Sequence, residues 1–245
     1  MAIASNSMPK TTPWQEFWAG AQQTIPLIVG AIPFGIIFGT LAQTSGLSFT
    51  AAAAMSACVF AGSSQFIALG LLGTASPVGI IVLTTFVVNL RHLLYSVGLV
   101  PYLQPLSQGW KAALAFWLTD ETFMVAIQRY RQPDSASYKH WFQLGSALAM
   151  YGNWQLCTCL GLTLGQSIPN AANWGLDFAM VATFIGMTIP YLKTRPMLAT
   201  VIVSGVTALL ARSLPHQLGL MVAAIAGITT GVIVEDIQKQ GGFSS

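Results

Sequence analysis

The chain has 245 residues, of which 54% are hydrophobic and only 7% charged, with a formal net charge of +3. Soluble domains average about a quarter charged residues, so this surface is not built to face water, and a positive charge this small and scattered argues against nucleic-acid binding. The apolar runs are long and continuous instead of alternating in segments of about ten residues, which excludes a transmembrane β-barrel and predicts an all-α, polytopic integral membrane protein.

Residues 1–24 hold one basic side chain, Lys10, and no charged region followed by an apolar one, so no cleavable signal peptide is expected. Trp14, Phe17, Trp18 and Ala21 instead repeat at i, i+3, i+4, i+7. That spacing suits a short helix lying in the membrane interface; a poorly ordered lead-in is the alternative. Eight segments of membrane-spanning character follow, at about 25–43, 48–72, 78–100, 112–128, 141–165, 175–191, 197–212 and 216–234. The seventh is short enough for a tilted or re-entrant element. Together they form one transmembrane domain over 25–236, closed by a tail at 237–245.

With the N-terminus in the cytoplasm, the inner segments carry Lys10, Arg129, Arg131, Lys139, Lys193, Arg195 and Lys239, and the outer ones Lys111 and Arg212. The positive-inside rule therefore places both termini in the cytoplasm. An internal repeat is also expected, over 25–128 and 141–234. Phe34-Gly35, Phe38-Gly39, Gly46-Leu47-Ser48-Phe49 and Phe60-Ala61-Gly62 are matched in order by Leu160-Gly161, Leu164-Gly165, Gly175-Leu176-Asp177-Phe178 and Phe184-Ile185-Gly186. Eight crossings make such repeats parallel, and one re-entrant element makes them inverted.

The second span is interrupted by Gly62, Ser63, Ser64 and Gln65. A broken helix there aims free N–H groups at an anionic group; close helix packing through small residues is the competing reading. In the third span, Arg91 is the only charged residue between Pro77 and Lys111. A cation at that depth needs a partner, because Arg keeps its proton. Arg91 lies fifteen residues before position 106, and Asp120 and Glu121 lie fourteen and fifteen after it, so an antiparallel hairpin brings the three charges to one depth. Asp120 and Glu121, about 100° apart on a helix, do not face Arg91 equally. One holds Arg91, and the other is free to take a proton or an ammonium group, unless the cluster is purely a structural ion pair. His92 joins the proton-coupling candidates, as its pKa is nearest neutrality.

Asp177 opens the sixth span, as a gate or outer-site residue or simply as a helix cap. Asn153 and Gln155 are polar enough to line a cavity or to link helices. Cys58, Cys157 and Cys159 fall in apolar spans and are read as packing residues. No Walker sequence, nucleotide fingerprint or His-Glu-x-x-His occurs, so neither a cofactor nor a metal site is expected. No nucleophile accompanies Asp120, Glu121 and His92, which argues against an enzyme.

Pro33-Phe34-Gly35-x2-Phe38-Gly39, Phe60-Ala61-Gly62-Ser63-Ser64-Gln65, Asn89-Leu90-Arg91-His92, Leu118-Thr119-Asp120-Glu121 and Gly175-Leu176-Asp177-Phe178-Ala179 with Phe184-Ile185-Gly186 resemble the AzlC family over about residues 14–236. The resemblance implies the large subunit of a bacterial branched-chain amino-acid exporter in the cytoplasmic (inner) membrane, working with a small four-span AzlD-type subunit. On this reading Arg91, Asn89 and the Gly62–Gln65 segment take the substrate carboxylate, and Asp120 or Glu121 its ammonium. Export is driven by the proton-motive force; a passive channel for a small polar solute is the rival.

Overall fold

The computed structural model describes residues 11–134, 136–165, 192–214 and 218–241, together with positions 185 and 189. Asp177 and the expected span at 175–191 lie outside the described residues. Every regular element among the described residues is helical.

Helix α1 (Pro13–Thr44) starts at a capping box, in which Thr12 accepts from the Gln15 N–H and the Gln15 side chain returns the bond, with Pro13 at the first helical position. Nothing breaks it before Thr44, so the aromatic lead-in and the first span are one helix of 32 residues, not two elements. Helix α8 (Lys139–Leu164) packs along it in parallel. A Cβ at Gly20 would strike the Phe142 carbonyl, and one at Gly145 the Phe17 carbonyl. Further along, a Cβ at Gly39 would meet the Thr158 carbonyl and one at Gly161 the Ile36 carbonyl. These reciprocal contacts let two backbones touch, as small residues do between membrane helices. Thr24 Oγ1 donates to Ser146 Oγ across the seam at 2.6 Å.

Helices α4 (Val78–Asn89) and α5 (Arg91–Leu103) form a second through-going span, tightened at Leu90, whose N–H bonds three residues back to Val87. This stretch and α1 are the described helices long and apolar enough to cross a bilayer alone. Val82, Leu83, Phe86, Leu93, Leu94 and Val97 are each 59–62% exposed, a surface that hydrocarbon solvates and water does not.

The runs 48–72 and 112–128, expected to cross, instead fold back on themselves. In the second of these, α6 (Gln108–Phe116) begins where Trp110 meets His140 and Trp141, ring centroids 4.8 and 5.2 Å apart, at the start of α8. It rises to mid-depth, where Trp117 meets Tyr151. Helix α7 (Asp120–Arg131) then returns to the same end: Tyr130 donates to Gln143 at 2.9 Å, and Arg129 pairs with Glu16 at the start of α1. Helices α5 and α7 run in the same direction, Tyr95 stacking on Phe123 and Tyr102 on Tyr130. Arg91 and Asp120 therefore meet at one depth, but not through the antiparallel hairpin expected from the sequence.

The first run behaves likewise from the opposite end. Helix α2 (Phe49–Cys58) follows the end of α1 and descends along α8, with Ser56 bonded to Thr158 at 3.0 Å and Phe60 beside Tyr151. The chain turns at 59–61, and α3 (Gly62–Gly73) leads away alongside α4, Ser64 donating to Asn89 at 2.5 Å. Because α4 and α5 together carry the chain roughly 39 Å at 1.5 Å per residue, Val78 and hence the end of α3 lie opposite the Tyr102 end. Two helical hairpins thus enter from opposite ends and turn at mid-depth, each following a crossing helix. Lys111, Arg129, Arg131 and Lys139 all gather at the end where α1 begins.

Helices α9 (Arg195–Leu210) and α10 (Leu218–Gly241) pack antiparallel, Gly219 against Ala211 and Gly231 against Thr200. Helix α10 runs to Gly241, into the stretch expected as a tail.

Candidate functional site

The tips of the two hairpins face each other across a cavity of about 60 Å³, several times the space one water needs. Gly62, Ser63, Arg91, His92, Asp120 and Glu121 all line it. Its remaining wall is apolar and aromatic, with Phe34, Phe60, Phe66, Met150 and Trp154. A polar half facing an apolar half is the arrangement that small-solute sites share.

Each tip is a helix start. Helix α3 begins at Gly62 with Ala61 extended and no side-chain cap, leaving its first N–H groups directed along the positive end of the helix. The chain at 59–61 is satisfied from within: Gln65 Nε2 donates to the Val59 carbonyl at 2.6 Å. The terminal carbonyls of α2 are capped by α8, Tyr151 O–H donating to Ala57 and Gln155 Nε2 to Ser56. Non-helical backbone at this depth needs such partners. Helix α7 opens with a second capping box, Thr119 with Thr122, and carries Asp120 and Glu121 in its first turn, where the helix dipole favours carboxylates.

Arg91 bridges the hairpins. Its Nη1 donates to Asp120 Oδ2 at 2.8 Å and its Nη2 to Ser63 Oγ at 2.7 Å. Tyr95 also stands beside the Asp120 carboxylate, whereas Arg91 Nε and Trp154 Nε1 are buried without a partner. His92 Nδ1 donates to the Asn89 carbonyl at 3.1 Å, which the tightening at Leu90 leaves open.

The candidates from the sequence separate into two sets. Gly62, Ser63, Arg91, His92, Asp120 and Glu121 line the cavity, whereas Ser64, Gln65 and Asn89 do not and instead bond within the framework behind it. Asp177 lies outside the described residues. Sequence reasoning missed the aromatic wall, Trp154 above all, because an aromatic in an apolar run reads as packing. It also missed the start of α7 at mid-depth. The Thr119-x-x-Thr122 spacing with two carboxylates between the threonines was the signal, since these are features of a helix N-terminus and not of a helix middle. Among the described residues no cluster of His, Cys, Asp and Glu is suited to a metal ion, and the described cysteines are free.

The model of the AzlC protein family matches residues 26–168, which hold both hairpins, most of α1, the α4/α5 span and α8. An uncharacterized membrane protein of Archaeoglobus fulgidus is 34% identical over 215 residues, covering 86% of this chain and 92% of its own. The inner membrane protein YgaZ of Escherichia coli is 28% identical over 91% of this chain and 90% of its own. The branched-chain amino acid transport protein AzlC of Bacillus subtilis is 30% identical over 75% of this chain and 71% of its own. No solved structure matches the chain. By the span of the family model and the cover of these relatives, the chain belongs to the AzlC family.

Proposed function

We propose that this protein exports branched-chain or related amino acids across the bacterial cytoplasmic membrane, together with a small four-span partner subunit. The observation that carries the reading is the meeting of two opposed hairpin tips on one cavity, with Arg91 tied to both. An α-amino acid has a carboxylate, an ammonium and an apolar side chain. Arg91 and the first N–H groups of α3 suit the carboxylate, Asp120 or Glu121 the ammonium, and the Phe34–Met150–Trp154 wall the side chain. Burying such a side chain is worth about 1.5–3 kcal/mol.

Six crossings and two hairpins make eight embedded segments: α1, the α4/α5 span, α8, a crossing at 175–191 expected from the sequence, α9 and α10, plus the two hairpins. On that path Lys10, Lys111, Arg129, Arg131, Lys139, Lys193, Arg195 and Lys239 are cytoplasmic and Arg212 alone is external. The bias is steeper than eight crossings give, because Lys111 changes sides, and both termini stay in the cytoplasm. Uphill export without a nucleotide motif draws on the proton-motive force, with Asp120, Glu121 and His92 as the groups that exchange a proton.

Efflux from peptide-loaded cells lacking their own exporters tests this. The wild type with its partner restores efflux of leucine, isoleucine or valine, and Arg91→Ala at equal membrane abundance does not. Collapse of the proton gradient abolishes accumulation outside the cell. Efflux indifferent to that gradient supports a passive channel instead, and undiminished efflux in Arg91→Ala removes the charge cluster from the site.

A further inference from the structure

A second cavity, of about 250 Å³, lies between α5, α6 and α8 at the basic end and is not part of the central site. On α5 and its cap the lining recurs at Ser96, Leu99, Val100, Leu103 and Gln104; on α6 and just beyond it recurs at Lys111, Leu114, Ala115 and Leu118. Both sets follow i, i+3, i+4, i+7, the spacing of one helix face. The two faces therefore form the walls of a corridor that runs along the helices, not a dent across them. At its mouth stand Lys111 and Gln104, with the buried Gln143 of α8 in the wall behind them. At its inner limit Ser96 is one turn from His92, and Leu118 adjoins Thr119, both of which line the central cavity. Leu118 itself is 3% exposed and packs with Leu99, Ala126 and Ile127 at this inner limit.

We propose that this corridor is the cytoplasmic entry route for the amino acid, with Lys111 drawing in the carboxylate and Leu118, at the tip of the inner hairpin, as the plug. The identity of the cargo rests on the function proposed above; the existence of a water-accessible route does not. The chemistry fits an apolar zwitterion: a cation and an amide at the mouth, leucine and valine walls beyond, and the charge bridge at the far end. Packing favours movement there. Helix α6 carries one buried residue, Leu114, whereas α2 in the outer hairpin is clamped to α8 through Ser56, Ala57 and Thr158. Moving the α6 arm, with α7 held in place by Arg129, disturbs less than moving α2.

The test places single cysteines in full-length protein whose Cys58, Cys157 and Cys159 are replaced, with the partner co-expressed, in inside-out vesicles. Ala115→Cys, and independently Ser96→Cys, is treated with a membrane-impermeant thiosulfonate applied to the cytoplasmic face. Expected is modification from that face, slowed several-fold by leucine, with transport lost once the cysteine is modified. Adding Leu118→Ala speeds modification of Ser63→Cys, beyond the plug, from the same face. Modification by a bilayer-soluble maleimide alone overturns the proposal and marks the space as a lipid-filled groove. Modification that leaves transport intact overturns it as well. Accessibility without protection, in vesicles that move no branched-chain amino acid, leaves the route standing and refutes the cargo.

Discussion

Arg91 carries a fixed charge into a region where hydration is lost, and the fold answers with one carboxylate and one hydroxyl on two different hairpins. The guanidinium fork does this because its nitrogens point in set directions; an ammonium has no such fork. Arg91→Lys is therefore expected to hold Asp120 but lose Ser63. A hydrogen bond to a charged group is worth about 1.5 kcal/mol or more, so efflux is expected to fall roughly tenfold or further at equal abundance, by the usual conversion. Efflux equal to wild type in the lysine variant denies that the double contact matters. The pairing of Arg91 with a carboxylate was legible in the sequence, since an isolated intramembrane cation demands a partner. The role of Ser63 as its second acceptor was not, because serine in a membrane helix has many ordinary uses.

At the level of elements, the two arms of the inner hairpin are held unequally. Helix α7 is fastened at its end by Arg129, whose Nε donates to Glu16 Oε2 at 2.9 Å and whose Nη1 reaches Asp134 at 2.6 Å. Lys139 completes the cluster through Asp134 at 2.7 Å. Burial works to raise the Glu16 carboxyl, but the Arg129 hydrogen bonds and charge outweigh it and hold it below its usual range. The Lys139 hydrogen bond, then Arg129, pull Asp134 down to about 2. Both carboxylates are depressed in the folded state, so the unfolded chain binds more protons as the pH falls. Their stabilisation is complete above the ordinary carboxylate range near 4 and is lost on descending toward about 2. Thermal unfolding of purified protein is expected to show that acid slope in wild type and a weaker one in Arg129→Met. The variant should be less stable at neutral pH by about 3–5 kcal/mol, the usual consequence of leaving one buried partner unpaired. An unchanged acid slope in Arg129→Met assigns the pH dependence elsewhere.

For the whole molecule, the arrangement of crossings and hairpins fixes which loops share a side. Gly109, in the first turn of α6, lies at the same end as Lys139, whereas Ser76, between α3 and α4, lies at the other. Single cysteines at these positions in intact cells are expected to react differently with an impermeant reagent, Ser76→Cys readily and Gly109→Cys only after the cells are opened. A chain that crossed at 112–128 would expose Gly109→Cys outside, so that outcome rejects the hairpin.

Composition and run length alone established an all-helical chain that lives in a bilayer, and the break at Gly62–Gln65 and the charge cluster could be named in advance. These are consequences of local chemistry: a polar or charged side chain in hydrocarbon is conspicuous wherever the chain takes it. Direction was decided only by the tertiary structure. A half-length helix that turns back has the same apolar composition as half of a helix that crosses, because both are solvated by the same lipid and the same neighbours. What separates them is whether the carbonyls and N–H groups freed at the turn find partners. Here Tyr151, Gln155 and Gln65 serve one tip, and Thr119 with Thr122 the other. Most of those partners for the first tip lie about a hundred residues away along the chain, at a separation that no local pattern reports. The close parallel seam of α1 and α8, made by glycines meeting backbone carbonyls, is what holds both hairpins against a common wall.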